Sequence, residues 1–414
     1  MQITGIISEY NPFHNGHKYL IDEHKKRNPN THFIAVMSGN FTQRGEAAIL
    51  NKWQRAHLAI AGGIDLVLEL PFVFAVRSAQ HFAYGGIDLL NKLGCVNNIC
   101  FGSENTNKDE LIQIAQSFFK PEFSSLFQNN ISQGLSYAAA VSKTLSQITN
   151  VDEAILKAPN TILGIEYLKA MQMLQAPFDV DIIKRKKAQH NDLNYQNNFA
   201  SGTAIRHCLY KDNINFSELK QVVLQETFFL LQQAYMQKNL PQEDNLFLSL
   251  LSKLRLAKLN DIKKIYNVKE GLEFKLLKAA TQAKNRQELL DKLKSKRYPL
   301  TKLQRMLLYI ILDLTKQQID KFDKSGALYV RVLAFNEKGK YILRQIKEKS
   351  TLPIITKTTT YLDSKKRRQE NLTTFEEMLS IDTYATELYN LCFNPVHIYG
   401  EDFITSPIYI QNKN

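Results

Sequence analysis

The first 105 residues alternate short apolar runs with amphipathic stretches, the pattern of strand, helix and strand that builds a parallel sheet. Strands are predicted over residues 3–8, 32–38, 65–70 and 98–102, with helices over 16–26, 51–61 and 79–93 between them. From 108 to 173 the apolar residues recur mostly at helical spacing, and 180–184 predicts one more strand ahead of a polar loop of Asn, Gln and His. The fold class this implies is α/β, a doubly wound parallel sheet. A short helix over 203–210 closes the unit, and the stretch 216–293, rich in Leu, Lys and Gln, predicts a mainly helical second region. The division falls near residue 212, giving parts of 1–212 and 213–414. Within the second, 352–360 carries a β-branched run and 373–379 a helical pattern.

Charge follows the same division. The 414-residue chain has a formal net charge of +13, yet residues 1–200 hold 18 basic and 17 acidic side chains against 35 and 23 in 201–414. Residues 251–350 alone carry 25 basic and 10 acidic groups, as expected of a surface that meets a polyanion, the alternative being a solvated helical face. Lys292, Lys294, Lys296 and Arg297 beside Tyr298, Lys338 and Lys340 beside Tyr341, and the run 365–368 combine phosphate-seeking cations with rings that stack on bases. Cys95, Cys100, Cys208 and Cys392 form no CxxC pair, so a reducing cytoplasm is the expected compartment. MQITGIISEY lacks the character of a signal peptide. The richest apolar run, 64–76, is interrupted by Asp65, Glu69 and Pro71 and is too short to cross a bilayer, so no membrane partner is expected.

The chemistry concentrates in the turn after the first strand, Ser8-Glu9-Tyr10-Asn11-Pro12-Phe13-His14-Asn15-Gly16-His17. Gly16 lets backbone approach a ligand, the helix amino terminus offers free N–H groups, and two imidazoles three residues apart share one face of its first turn. Such donors suit the oxygens of a phosphoryl group whose charge grows during attack. Two histidines at this spacing also make half a zinc site, but no Cys or acidic third ligand follows in a matching pattern. Far along the chain Ser201-Gly202-Thr203-Ala204-Ile205-Arg206 opens another helix, where Ser201 and Thr203 supply cap hydroxyls and Arg206 a bidentate cation.

NPFHNGH after a first strand resembles the HIGH motif of the nucleotidyltransferase superfamily, and SGTAIR resembles the later element with which those enzymes bind a triphosphate. Over essentially the whole chain, ISEYNPFHNGH, MSGNFTQRGEAAILNKWQRA and ELPFVFAVRSAQHFA resemble the bacterial tRNA(Met) cytidine acetate ligases. That resemblance implies an ATP- and acetate-activating domain over 1–212 and a tRNA-binding region over 213–414. The reaction it implies makes acetyl-adenylate from acetate and ATP, with magnesium, and acetylates N4 of the wobble cytidine of elongator tRNA(Met). It further implies a nucleotide site at Ile7, Ser8, Glu9, Tyr10, Asn11, Pro12, Phe13, His14, Asn15, Gly16, His17, Lys18, Tyr19 and Leu20, joined by Gly102, Asn160, Arg185, Ser201 and Thr203. His14, His17 and Arg206 are the catalytic candidates.

One departure concerns Glu9, which stands where many superfamily members have a small residue; a side chain there implies an acceptor unlike those of coenzyme-making adenylyltransferases. The polar, Gly-flanked loop 38–45 after the second strand is a candidate gate for acetate or cytosine. Arg44, Lys52 and Arg77 read first as surface or structural charges, and Phe41, Phe72 and Phe74 as core that also shapes an acetate pocket. Two other classes compete, a small-molecule adenylyltransferase and a noncatalytic RNA-binding protein. The basic second half argues against the one and the intact motifs against the other.

Overall fold

The computed structural model describes residues 2–135, 137–153, 155–186, 198–269 and 271–411. Its centre is an eight-stranded sheet. The strands are β1 Gln2–Ser8, β2 Thr31–Ser38, β3 Leu66–Leu70, β4 Asn98–Ser103, β5 Asp179–Lys184, β6 Val330–Phe335, β7 Ile354–Ile355 and β8 Ile408–Tyr409. Their order is β5-β4-β1-β2-β3-β6-β7, with β8 also paired to β6. β1 to β5 run parallel, as the apolar runs predicted; β2 and β3 at the centre are buried along nearly their whole length, whereas the edge strand β5 is exposed at Asp179 and Lys184. In β2, Phe33, Ala35 and Met37 join one buried cluster, and Ile34 and Val36 the other. The chain leaves β1 in one direction towards β2 and β3 and returns on its other side as β4, so the reversal of strand order lies at β1. Open α/β sheets bind ligands in the crevice at such a point, beyond the carboxyl ends of the strands.

The second half also contributes to the sheet. Residues 202–325 are helical, but the chain then returns to the sheet, with β6 antiparallel to β3 and β7 and β8 parallel to β6. The 213–414 part is mainly helical, as expected, and its residues 330–335, 354–355 and 408–409 add three strands to the first half's sheet. A buried ion cluster joins the two halves. Lys52 Nζ lies 2.9 Å from both Glu69 carboxylate oxygens and 2.7 Å from Asp402 Oδ1. Arg331, directly opposite Glu69 in the ladder, reaches Glu69 Oε2 at 3.1 Å and Asp402 Oδ1 at 2.5 Å. Arg77 pairs with Asp323, 2.5 Å from Oδ1, and its guanidinium donates to the Tyr266 hydroxyl at 2.8 Å. Lys52 and Arg77 are thus structural charges.

Candidate active site

At the carboxyl edge of β1 and β4 lies a cavity of about 320 Å³. Its wall takes Ile6 to Asn11 from the end of β1, His14, His17 and Leu20 from the helix Asn15–Arg27, and Phe101 and Gly102 from β4. Pro159, Asn160, Leu163 and Tyr167 come from the helix Pro159–Leu174, and Arg185 from just past β5. Ser201, Gly202, Thr203 and Arg206 complete one side, and Thr42, Gln43, Arg44 and Glu46 another, with Ala79 and Phe82.

Sequence places the two histidines through helix capping. His14 is the N-cap of Asn15–Arg27, and its Nδ1 accepts the Gly16 N–H at 3.0 Å. His17 returns the bond, its Nδ1 accepting the His14 N–H at 3.2 Å. The rings stack with centroids 3.8 Å apart and planes 24° from parallel. Because each Nδ1 is an acceptor, each neutral ring carries its proton on Nε2 and is a donor there. Burial, then the Arg185 and Arg206 charges, pushes His14 down to about 3; burial and the His14 and Arg185 charges hold His17 well below its ordinary value. Gly16 is required for this pair: a Cβ there would lie 2.8 Å from His14 Cε1.

The two motifs, distant in sequence, meet. A Cβ on Gly202 would lie 2.9 Å from the Asn11 carbonyl oxygen, so the helix Gly202–Leu209 packs against the β1 turn. Arg206 Nη1 donates to that carbonyl at 2.7 Å, while Nη2 lies 3.4 Å from Glu46 Oε2. Ser201 caps the helix, its hydroxyl accepting from the Ala204 N–H at 3.1 Å. Gly102 faces Arg185 and Leu20, and a Cβ there would meet Arg185 Cγ at 3.2 Å. The Arg185 guanidinium makes no hydrogen bond or salt bridge among the described residues and lies at the cavity wall. Asn160 donates to Glu104 Oε1 at 2.6 Å, and Glu104 Oε2 accepts the Thr161 N–H at 2.8 Å. Glu104, which the sequence did not single out, thereby caps the helix whose first turn carries Asn160.

Other residues of the predicted segment stand outside this wall. Pro12 and Phe13 are buried behind it, Phe13 against Gly62. Asn15 ties the helix start to the carbonyls of Asn198 and Gln221 at 3.0 and 2.8 Å, and Lys18 pairs with Asp22. Gly16 and Tyr19 line an adjoining recess with Phe199 and Lys186, whose ammonium lies 4.5 Å from the Tyr19 ring centre. Lys187 lies outside the described residues. Phe41, Phe72 and Phe74 are core and line no part of the cavity; Phe82, Phe101, Leu163 and Tyr167 supply its apolar surface instead.

Of the candidate RNA contacts, Lys292, Lys294, Lys296 and Arg297 are exposed, but Tyr298 is buried and donates to the Lys269 carbonyl at 3.0 Å. Arg367 is also buried, 3.2 Å from Glu387 and stacked 4.4 Å from the Tyr384 ring centre, so that cluster is partly architectural.

The HIGH Nucleotidyl Transferase family matches residues 1–401. A Thermoanaerobacter protein named tRNA(Met) cytidine acetate ligase is 39% identical over 98% of both chains, and a Clostridium novyi protein of the same name is 38% identical over 99% of this chain and 100% of its own. The crystal structure of Thermotoga maritima TmcAL matches with TM-score 0.89 at 30% identity, covering 100% of both chains. A second crystal structure of that protein, bound with alpha-thio ATP, matches with TM-score 0.88 over the same extent.

Proposed function

The chain belongs to the HIGH nucleotidyl transferase family and, within it, to the tRNA(Met) cytidine acetate ligases; from that premise we propose that it activates acetate with ATP and acetylates N4 of the wobble cytidine, position 34, of elongator tRNA(Met). The observation that carries the reading is the pair of stacked neutral imidazoles, each with its proton on Nε2, in one cavity wall with Ser201, Thr203 and Arg206. In the first step an acetate oxygen attacks the α-phosphorus, the bond to pyrophosphate breaks, and charge grows on the phosphoryl oxygens. Neutral N–H donors already held by backbone bonds stabilise that charge without reorganising, and Arg206 and Arg185 balance the triphosphate. Magnesium is expected to arrive on the nucleotide, since it favours phosphate oxygens and water; it would neutralise triphosphate charge, while His14, His17, Ser201 and Thr203 contribute donors. In the second step the cytidine amine attacks the acetyl carbonyl carbon, the C–N bond forms, AMP leaves with the electron pair of the broken C–O bond, and the amine gives up a proton.

The basic second half would carry the tRNA, and the cytoplasm is the compartment that suits this substrate. No helix among the described residues is long and apolar enough to cross a membrane. The test is exchange of labelled pyrophosphate into ATP without RNA. Exchange should require acetate and fall by about 10²- to 10³-fold in His17→Ala, the usual effect of removing one such donor. Acetate-independent exchange would point instead to a small-molecule adenylyltransferase, and no exchange at all to a noncatalytic RNA-binding protein.

A further inference from the structure

The cavity has a side that, Glu9 apart, the nucleotide reading leaves unused. The loop 42–46 crosses it after β2 and is closed on itself: the Thr42 N–H donates to the Glu46 carbonyl and the Gly45 N–H to the Thr42 carbonyl, both at 2.9 Å. With its backbone so engaged, Thr42 keeps one free polar group. Its hydroxyl is buried, in a residue 2% exposed, and has no hydrogen-bond partner among the described residues. The neighbouring Gln43 N–H donates to Glu9 Oε1 at 2.5 Å, which pins the loop to the end of β1 and leaves Glu9 Oε2 without a hydrogen bond among the described residues. At the rim Arg44 is exposed and has no ion pair among the described residues.

The loop also leans on the basic half of the chain. Gly45, at φ 79°, sits so close to the helix Leu300–Ile311 that a Cβ would lie 2.7 Å from the Arg305 nitrogen. Arg305 Nη1 donates to the Gln43 carbonyl at 3.1 Å. The rim of this side is therefore continuous with the segment 251–350, in which basic groups outnumber acidic ones by 25 to 10.

We propose that Thr42 and Glu9 form the subsite that reads the acceptor cytosine, and that Arg44 holds the phosphate of the same single-stranded nucleotide. The assignment rests on the acetate-ligase reading above and adds to it where the base sits. A carboxyl oxygen accepts from the exocyclic N4 amine, and a hydroxyl donates to the ring acceptor N3 or O2. A uracil in the same position sets its O4 carbonyl against the Glu9 carboxyl oxygen, so the contact that selects cytosine is the one to the exocyclic group, while the hydroxyl, which can also accept, contributes position. A base in an anticodon loop enters such a pocket at modest cost, since it leaves no duplex.

The experiment compares Thr42→Val, Thr42→Ser and Arg44→Ala with wild type in acetate-dependent pyrophosphate exchange without RNA, and in acetylation of a tRNA(Met) transcript. Thr42→Val should keep exchange within about twofold of wild type while lowering kcat for acetylation about 10-fold or more, as expected for one lost buried hydrogen bond; Thr42→Ser should restore it. Arg44→Ala should raise KM for the transcript and flatten its dependence on log salt by about one, the signature of one phosphate contact. Equal loss of exchange and acetylation in Thr42→Val would give the hydroxyl to acetate or ATP and overturn the assignment. So would variants indistinguishable from wild type in both assays. Wild-type protein without acetate-dependent exchange would instead overturn the acetate-ligase reading beneath it.

Discussion

His14 shows how one residue's surroundings set both its chemistry and its effect on stability. Its folded pKa is about 3 against an ordinary 6.5, so the unfolded chain takes up the proton first as the solution is acidified. The associated stability is whole above about pH 6.5 and is lost as pH falls towards 3, at about 1.4 kcal/mol per pH unit for a single group. His14→Asn keeps an N-cap acceptor but does not titrate. In denaturant melts from pH 7 to 4 the stability of the variant relative to wild type should therefore rise as the pH falls; parallel curves would mean that His14 titrates normally. Catalysis tests the same state differently: exchange should show no acid limb near pH 6.5 arising from these rings. Gly16→Ala probes the geometry instead of the charge. The added methyl displaces the His14 ring, and misplacement of a catalytic group by about 1 Å is enough to reduce rate about 10²-fold, so exchange should collapse while the melt changes little.

Among the elements, β3 and β6 carry the most consequential pairing, because their ladder sets Glu69 against Arg331 inside the Lys52 and Asp402 cluster. The side chains of Lys52, Glu69 and Asp402 are no more than 4% exposed, so Lys52→Met leaves two carboxylates facing Arg331 alone. Removing one partner from a buried pair typically costs about 3–5 kcal/mol, and a urea melt of Lys52→Met should show a loss of that size. A loss under 1 kcal/mol would mean that water reaches the cluster. The same ladder shows what the sequence could and could not disclose. β2 and β3 were legible because a strand buried on both faces is a continuous apolar run, as FIAVM in β2 is, and β1, β4 and β5 as shorter apolar runs bounded by polar residues. VRVLAF in β6 carries a similar signal, but Arg331 interrupts it, and its antiparallel partner lies more than 250 residues away, beyond any spacing rule. His14, Gly16, His17 and the SGTAIR element were legible as local patterns at helix starts. Thr42 was legible only as one member of the polar loop 38–45, and Glu46, Phe82 and Tyr167 were not, because only the folding of β2, its loop and two helices around β1 brings them together. Arg367 failed in the opposite sense: in a run of four cations nothing local distinguishes a side chain enclosed by Tyr384, Tyr399 and Phe403 from its exposed neighbours.

At the scale of the molecule, the question is whether the activating part and the basic part fold separately. Without residues 330–409, β3 becomes an open edge whose Leu66, Val67 and Leu68 lose their ladder partners, and Lys52 and Glu69 lose Arg331 and Asp402. Phe72 loses the Asp382 carboxylate that accepts its N–H at 2.7 Å, and Phe41 the Tyr389 ring at 6.2 Å. Unpaired apolar edges invite association with other chains, and unpaired buried charges oppose folding, so a fragment of residues 1–212 should express as aggregate or melt without a cooperative transition. The full chain should unfold in one calorimetric transition despite its length, because the carboxy-terminal segments complete the sheet at whose edge the candidate site lies. Two well-separated transitions, or a soluble 1–212 fragment that exchanges pyrophosphate in an acetate-dependent way, would show that the boundary at 212 divides independent bodies. A single transition would mean that the basic region and the edge bearing the candidate site unfold together, joined by β6, β3 and the Lys52 cluster. Substitutions meant to weaken tRNA binding then need exchange measured beside acetylation before their effects are assigned to RNA contact.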